Sequence, residues 1–285
     1  LWNAAGCEVT LLIRKDRVLS TWERRASMTL TRELKRRGVN VIARTAVDRV
    51  DTGANLGATV HYRQGDSDED RTAYGEVVLA AIGRVPNTDA DWFRSSGLKL
   101  DERGYVTVDG YGRTNLDGVW ALGDITPGHA LAHRAFEQGI TIAEKIAGAD
   151  PKPVLDDTVP QVVFSFPEAA SVGLTLDQAK AREDVVEPKE TAYPMLSNAR
   201  MLMSGEGGSM TVVSGAFANN PDMQVVLGVH IVSPIASDLI AEAEQLVGNR
   251  VPLADAARLI HPHPTFSETL GEALLKADGR PLHTR

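Results

Sequence analysis

Two apolar runs separated by an amphipathic stretch, all within residues 7–42, constrain this chain more than any other feature. Cys7-Glu8-Val9-Thr10-Leu11-Leu12-Ile13 is rich in β-formers and reads as a buried strand. Arg14-Lys15-Asp16-Arg17 follows as a polar turn. From Arg24 to Arg37, Met28, Leu30 and Leu34 recur at helical spacing among charges, which places them inside. Gly38 stops that helix, and Val39-Asn40-Val41-Ile42 reads as the next strand. A strand–helix–strand unit of this length requires parallel strands joined by a right-handed crossover.

Three more strands are expected at Val47–Val50, Ala58–Tyr62 and Val77–Ile82, with a charged turn at Gln64–Arg71. Pro86-Asn87 breaks the chain. Tyr105–Val108 reads as a strand, and Val119–Leu122 as a short buried one ended by Gly123-Asp124. Ala130–Ala147 reads as a long helix closed by Gly148, and Pro151 and Pro153 mark a linker. The second half changes character. A strand at Val159–Phe164 is followed by a helix at Leu176–Arg182, with Thr175 as N-cap and Gln178 at the capping-box position. Met210–Phe217 and Gln224–Val232 form a hairpin pattern, and helices follow at Pro234–Val247 and Leu253–Ile260. Strands followed by helices indicate an α+β arrangement.

Composition narrows the classes. A length of 285 residues suits about two domains. Hydrophobic residues at 43% and charged residues at 24% exclude a disordered chain and a collagen-like fibre. The longest apolar runs, Val77–Ile82 and Val225–Val232, are too short for a bilayer-spanning helix. A single cysteine, Cys7, excludes an intrachain disulfide and a cysteine-based metal cluster, and fits a reducing compartment. A net charge of −8 speaks against a general nucleic-acid binder. Residues 1–50 nevertheless hold eleven Lys/Arg against five Asp/Glu, so an anion is favoured there or a solvated basic face is. The chain opens with Leu1 and no signal-peptide pattern. Leu1–Ala5 reads as the last turns of a helix stopped by Gly6, as expected of a fragment.

Three segments carry candidate chemistry. In Ala81-Ile82-Gly83-Arg84-Val85-Pro86-Asn87, a glycine directly after an apolar run is either a close approach for a flat ligand or an ordinary strand exit. In Gly118–Asp124 followed by Ala130–His133, Asp124 is either a carboxylate for ligand hydroxyls or a local turn residue. The helix start beyond it adds partial positive charge. In His261-Pro262-His263-Pro264-Thr265-Phe266-Ser267-Glu268, two prolines fix where the imidazoles point. Glu268 is placed to fold back on His263 and raise its basicity, as a general base requires. The alternatives are a loop with two solvated histidines, or a metal pair at His261 and His263 with no third ligand nearby in sequence.

In this order and spacing the three segments resemble the flavoprotein pyridine nucleotide-disulfide oxidoreductases of the glutathione reductase and lipoamide dehydrogenase type. Gly118–Asp124 resembles the family's second flavin motif. Val163-Phe164-Ser165-Phe166-Pro167-Glu168 with Val172-Gly173-Leu174-Thr175 resembles the opening of its interface domain, and His263-Pro264-Thr265 with Ser267-Glu268 its catalytic His–Glu motif. Asn198-Ala199-Arg200, Gly228–Ile231 and Pro234–Ile240 are similar to the lipoamide dehydrogenase branch, whereas Leu12–Leu19 resembles glutathione reductase.

The resemblance implies an α/β plus α+β fold. Its parts would be a partial Rossmann-type dinucleotide-binding domain over 1–88, a central FAD-contacting segment over 89–153 and a C-terminal α+β dimerisation domain over 154–285. It implies FAD and NAD or NADP as cofactors, with Gly83, Arg84, Asp124, Leu131, Ala132 and His133 toward the flavin. Asp124 would serve its ribityl or pyrophosphate region. Where NAD users carry a glutamate at the strand end, this chain has Ile13 followed by Arg14, which can pair with a 2′-phosphate. The second arginine of NADPH users is replaced by Ser20, with Lys15 and Arg17 close by. The implied catalytic residues are His263, which takes a proton from the substrate thiol, and Glu268, which holds the ring; no metal is implied. The implied partners are a second copy of the chain and, in the lipoamide branch, the lipoyl domain of 2-oxoacid dehydrogenase complexes, in the cytoplasm.

The family's glycine-rich motifs and its Cys-x4-Cys redox pair are not among these residues. The chain alone is therefore not expected to perform disulfide chemistry, and Cys7 is expected to be a small buried apolar residue. Three alternatives stand beside the lipoamide reading: a family member without the cysteine pair that reduces quinones or other acceptors, a glutathione or other disulfide reductase, and a non-catalytic dimerising module.

Overall fold

The strand–helix–strand unit forms as the spacing predicts. The structure, a computed structural model, describes residues 1–53 and 57–284. Strands β1 (Thr10–Ile13) and β2 (Asn40–Ala43) pair in parallel, with Leu11 opposite Val41, and helix α1 (Arg24–Arg36) connects them. The buried Glu23 carboxylate caps α1 by accepting from the N–H groups of Arg25 at 2.6 Å and Ala26 at 2.7 Å. The helix buries Ala26, Ser27, Leu30 and Glu33, so its inner stripe runs through positions 26, 30 and 33. Met28 lies on the other side and is 53% exposed, contrary to the sequence expectation. Gly38, at φ +89°, closes α1: its N–H reaches Lys35 O, and Val39 N–H reaches Leu34 O. The same pair of bonds recurs around Gly6, so residues 1–6 are a closed turn. Cys7 just beyond is exposed rather than buried, because it precedes the first paired residue of β1.

A three-stranded antiparallel sheet follows: β3 (Thr45–Thr52), β4 (Ala58–Gln64) and β5 (Arg71–Gly75), with Val60 and Tyr62 buried on one face of β4. Sequence reading found the charged turn but not β5. It also placed a strand at Val77–Ile82, which the structure does not form. These residues pair with no described strand, and Ile82 is 95% exposed. Apolar composition favours burial, but a strand also needs a hydrogen-bonding neighbour.

The chain folds as two compact units, Leu1–Leu79 together with the chain from Pro160 onward, and Ala80–Val159. The unit Ala80–Val159 contains two helices, α2 (Asp91–Ser95) and α3 (Ala132–Ile146), and a small core of Phe93, Val106 and Ala121. The strands expected at Tyr105–Val108 and Val119–Leu122 are only isolated bridges, Leu100 to Val106 and Arg113 to Trp120. The Asp101 carboxylate accepts from Arg103 and Tyr105 N–H, and Asp109 accepts from Tyr111 and Arg113 N–H, so side chains take donors that a ladder would use. Of Val119–Leu122 only Ala121 is buried.

From Pro160 the chain builds a five-stranded antiparallel sheet in the order β6-β7-β10-β9-β8. Its strands are β6 (Gln161–Val163), β7 (Glu168–Gly173), β8 (Val185–Tyr193), β9 (Ser209–Phe217) and β10 (Asn220–Ser233). Helices α4 (Leu176–Ala181), α5 (Ala199–Ser204), α6 (Ala236–Gly248), α7 (Leu253–Ala256) and α8 (Glu268–Ala277) complete it. The main core joins Met210, Val212, Val229 and Ile231 to Leu239, Ala243, Leu270 and Leu274 of α6 and α8. Ala26 and Leu30 of α1 pack with Ala169 and Val232. Strands β9 and β10 are therefore covered on both faces, which explains their unbroken apolar runs. The capping box at Thr175 and Gln178 forms as expected. Helix α7 ends at Ala256 rather than Ile260, because Pro262 and Pro264 hold the preceding chain extended. Strands β7 and β8 and helix α8 were not anticipated.

Candidate functional site

The proline-stiffened loop brings His263 and Glu268 together. Glu268 opens α8, and its Oε1 lies 2.8 Å from His263 Nδ1. Its other oxygen accepts the Thr265 N–H at 2.8 Å. The Thr265 hydroxyl donates to Pro262 O at 2.7 Å and lies 2.8 Å from the Ser267 hydroxyl, which ties the loop onto itself. Asn198 donates to Thr265 O at 3.0 Å and anchors it to the turn before α5. The His263–Pro264 peptide bond is cis. A carboxylate can only accept, so Nδ1 carries a hydrogen, and in the neutral ring Nε2 keeps its lone pair, on an imidazole that is 75% exposed. Burial pushes the Glu268 carboxyl up, but the Thr265 N–H and His263 outweigh it and hold the group below the usual carboxylate range.

His261 behaves differently from its neighbour. Its side chain is 9% exposed, and its Nε2 lies 2.8 Å from Oε1 of Glu242 on α6. The two loop histidines thus answer to different carboxylates. Sequence reading missed Glu242, Asn198 and the bridging role of Thr265. One signal for Glu242 was available: it sits one turn beyond Leu239 and next to Ala243, on the apolar stripe of α6, where a carboxylate needs a partner.

In the unit Ala80–Val159, Arg84 and Asp124 come together as an exposed ion pair at 3.8 Å. Asp124 lies in a single 3-10 turn, Gly123–Ile125, whose entry is fixed by Gly123 at φ +72°. Gly123 N–H donates to Gln138 on α3 at 2.9 Å, which ties this turn to the helix. Helix α3 begins at Ala132. Leu131 is the extended residue before it, and its side chain makes no capping hydrogen bond to the first turn, which contains His133. Gly83 has φ +123° with open space where a side chain would stand.

Arg14 and Lys15 are exposed at the carboxyl end of β1, where open α/β sheets place their ligands. Arg17 is engaged locally, by Asp16 at 2.9 Å and by Ser20 O at 3.3 Å. Of Lys15 and Arg17, Lys15 is the more exposed.

The comparisons agree along the chain. Residues 1–139 match the model described as pyridine nucleotide-disulphide oxidoreductase, and residues 159–274 match that family's dimerisation domain. A dihydrolipoyl dehydrogenase of Cupriavidus necator is 36% identical over 99% of this chain and 58% of its own length. One from Geobacillus stearothermophilus is 37% identical over 98% of this chain and 57% of its own. The crystal structure of LpdA from Mycobacterium tuberculosis superposes with a TM-score of 0.84 at 29% identity, covering 97% of this chain and 57% of that one. The chain thus spans somewhat over half the length of the relatives it matches.

Proposed function

Because the chain belongs to the pyridine nucleotide-disulphide oxidoreductase family, we propose that it serves a dihydrolipoyl dehydrogenase-type reaction, the oxidation of a dihydrolipoyl dithiol with NAD or NADP as acceptor. The carrying observation is the His263–Glu268 pair. Its geometry leaves one basic nitrogen exposed and the other held by a carboxylate. Thiol oxidation needs such a base, because the thiolate is the nucleophile. His263 Nε2 takes the thiol proton, and Glu268 stabilises the imidazolium that results.

FAD, when bound, relays electrons between the redox cysteines and the nicotinamide. The residues of the unit Ala80–Val159 fit such a group. The exposed Asp124 carboxylate offers an acceptor for its hydroxyls, with Arg84 beside it. The start of α3, at Leu131, Ala132 and His133, is not capped by the Leu131 side chain, and its partial positive charge suits an electron-rich ring edge. Open space at Gly83 admits a flat ligand. Arg14, with Lys15, is assigned to the 2′-phosphate of NADP(H). In this reading residues 1–88 serve the dinucleotide, 89–153 the flavin and 154–285 dimerisation. Function is as a homodimer in the cytoplasm, with a lipoyl domain as the protein partner. The cysteine pair that the reaction requires is not among these 285 residues.

The test is kinetic, in the full-length enzyme. His263→Gln should lower kcat for dihydrolipoamide about a hundredfold or more, the usual range for a general base. Glu268→Gln should cost less. Quinone reduction that survives both substitutions, without any dihydrolipoamide activity in the parent, would overturn the reading in favour of a reductase without the disulfide. For the dinucleotide, Arg14→Ala should cost NADP(H) about 1.5–3 kcal/mol in kcat/KM and leave NAD(H) nearly untouched. Equal losses for both would assign Arg14 to the fold.

A further inference from the structure

We propose that Glu242 and His261 are positioning residues for the His263–Glu268 pair, an inference that rests on the reading of His263 as the base. The catalytic loop is pinned at both ends. Beyond His263, Thr265 is held by Asn198 and Glu268. Before it, His261 is held by Glu242 of α6 at 2.8 Å, and its ring lies against Gly271 of α8. A methyl group on Gly271 would stand 2.5 Å from His261 Nδ1, so that glycine is the space the ring occupies. His261 therefore joins α6 to α8, two residues before the base and one helical turn from Glu268.

The electrostatics run the same way. The Glu242 hydrogen bond raises the His261 pKa against the opposing effect of burial, and the Leu259 carbonyl and Glu268 add to it. The charged side chains facing His261 are thus Glu242 from α6 and Glu268 from α8. A charged His261 in turn favours ionised Glu268. Glu268 must be ionised to hold His263 in the tautomer that leaves Nε2 basic. A merely space-filling residue at 261 would not need a carboxylate partner.

Two variants separate this from a general loss of packing. Glu242→Gln keeps an acceptor for His261 but removes the charge. Gly271→Ala leaves Glu242 intact, favours helix at its own position and displaces the His261 ring. Nitrogen-15 histidine NMR of the chain reads the tautomer of His263 directly, without cofactor or turnover. In both variants the Nδ1-protonated tautomer of His263 should be partly lost, with the Nε2-protonated form appearing beside it. Glu242→Asp should restore part of the wild-type signature. An unchanged His263 tautomer in both variants would overturn the proposal. Failure of the base reading shows separately, as full dihydrolipoamide activity in His263→Gln while the His263 resonances still respond to Glu242→Gln.

Discussion

The sheet built from Pro160 onward and the unit Ala80–Val159 are opposites in how they hold themselves together. The first has two central strands, β9 and β10, buried along most of their length and covered on both faces. The second has two isolated bridges, a core cluster of three buried apolar residues and apolar side chains such as Phe136, Ile140 and Ile146 left exposed on α3. One region is specified by apolar packing, the other by carboxylates and hydroxyls that fix turns. The candidate sites follow that division. His263 stands on a loop over a dense core, whereas Asp124 stands on a turn that its own unit barely covers.

The largest test of this contrast is at glycines. In the sheet, Gly173 has φ +79°, and an added methyl would stand 2.2 Å from Leu227 O and 2.6 Å from Gly228 Cα, both backbone atoms. Gly173→Ala should cost about 3–5 kcal/mol, from overpacking and the left-handed conformation together. Gly118 in the other unit has φ +72° with open space around it, so Gly118→Ala should cost only about 1–2 kcal/mol. Urea unfolding of the two variants measures the difference. Equal costs would mean that the sheet has slack its packing does not reveal.

The same division decides what could be read from sequence. The unit at residues 10–43, the hairpin of β9 and β10 and the Thr175 capping box were legible, because periodicity and cap chemistry are local. Strands β7 and β8 were missed. Ala169-Ala170-Ser171 carries little apolar bulk, and the middle of β8 is the polar run Glu187-Pro188-Lys189-Glu190, so tertiary pairing decides both. The expected strand at Val77–Ile82 had the right composition and no neighbour. His263 and Glu268 were legible because they lie five residues apart. Glu242 was not, because its partner lies nineteen residues away and only the packing of α6 brings them together.

A second test uses pH. His230 of β10 is fully enclosed, with Ser171 Oγ 2.7 Å from Nδ1 and Leu174 O 3.2 Å from Nε2. Burial lowers its pKa, while Glu23 and the Leu174 carbonyl push the other way. The unfolded chain then binds a proton at His230 that the folded sheet resists. Stability from this group is complete above the ordinary histidine pKa of about 6.5 and falls as pH drops through that value toward the lowered one. Hydrogen exchange at Val229 and Ile231 amides should therefore quicken between about pH 7 and pH 5 after correction for intrinsic rates, and His230→Gln should flatten that trend. A flat profile in the wild type would show that Glu23 compensates the burial.

The smallest effects concern helix starts, and they sharpen the contrast most directly. Thr175 Oγ1 accepts the Gln178 N–H at 3.3 Å, and Gln178 Oε1 accepts the Thr175 N–H at 2.8 Å. Thr175→Ala should cost about 1 kcal/mol, the usual value of an N-cap. Helix α3 has Leu131 at the corresponding place and no side-chain cap, although it is more than twice as long as α4. If that helix were selected only for stability, a capping residue would stand there. Leu131→Asp should thus stabilise the unit Ala80–Val159 by about 0.5–1 kcal/mol, through a cap and a favourable helix dipole. The same carboxylate would repel an electron-rich ring edge at the helix start. The full-length enzyme carrying Leu131→Asp should therefore melt later in the absence of flavin yet retain less of it on gel filtration. A variant that gains stability and holds flavin as tightly as the parent would remove the start of α3 from the cofactor site and leave Asp124 and Arg84 as its remaining support.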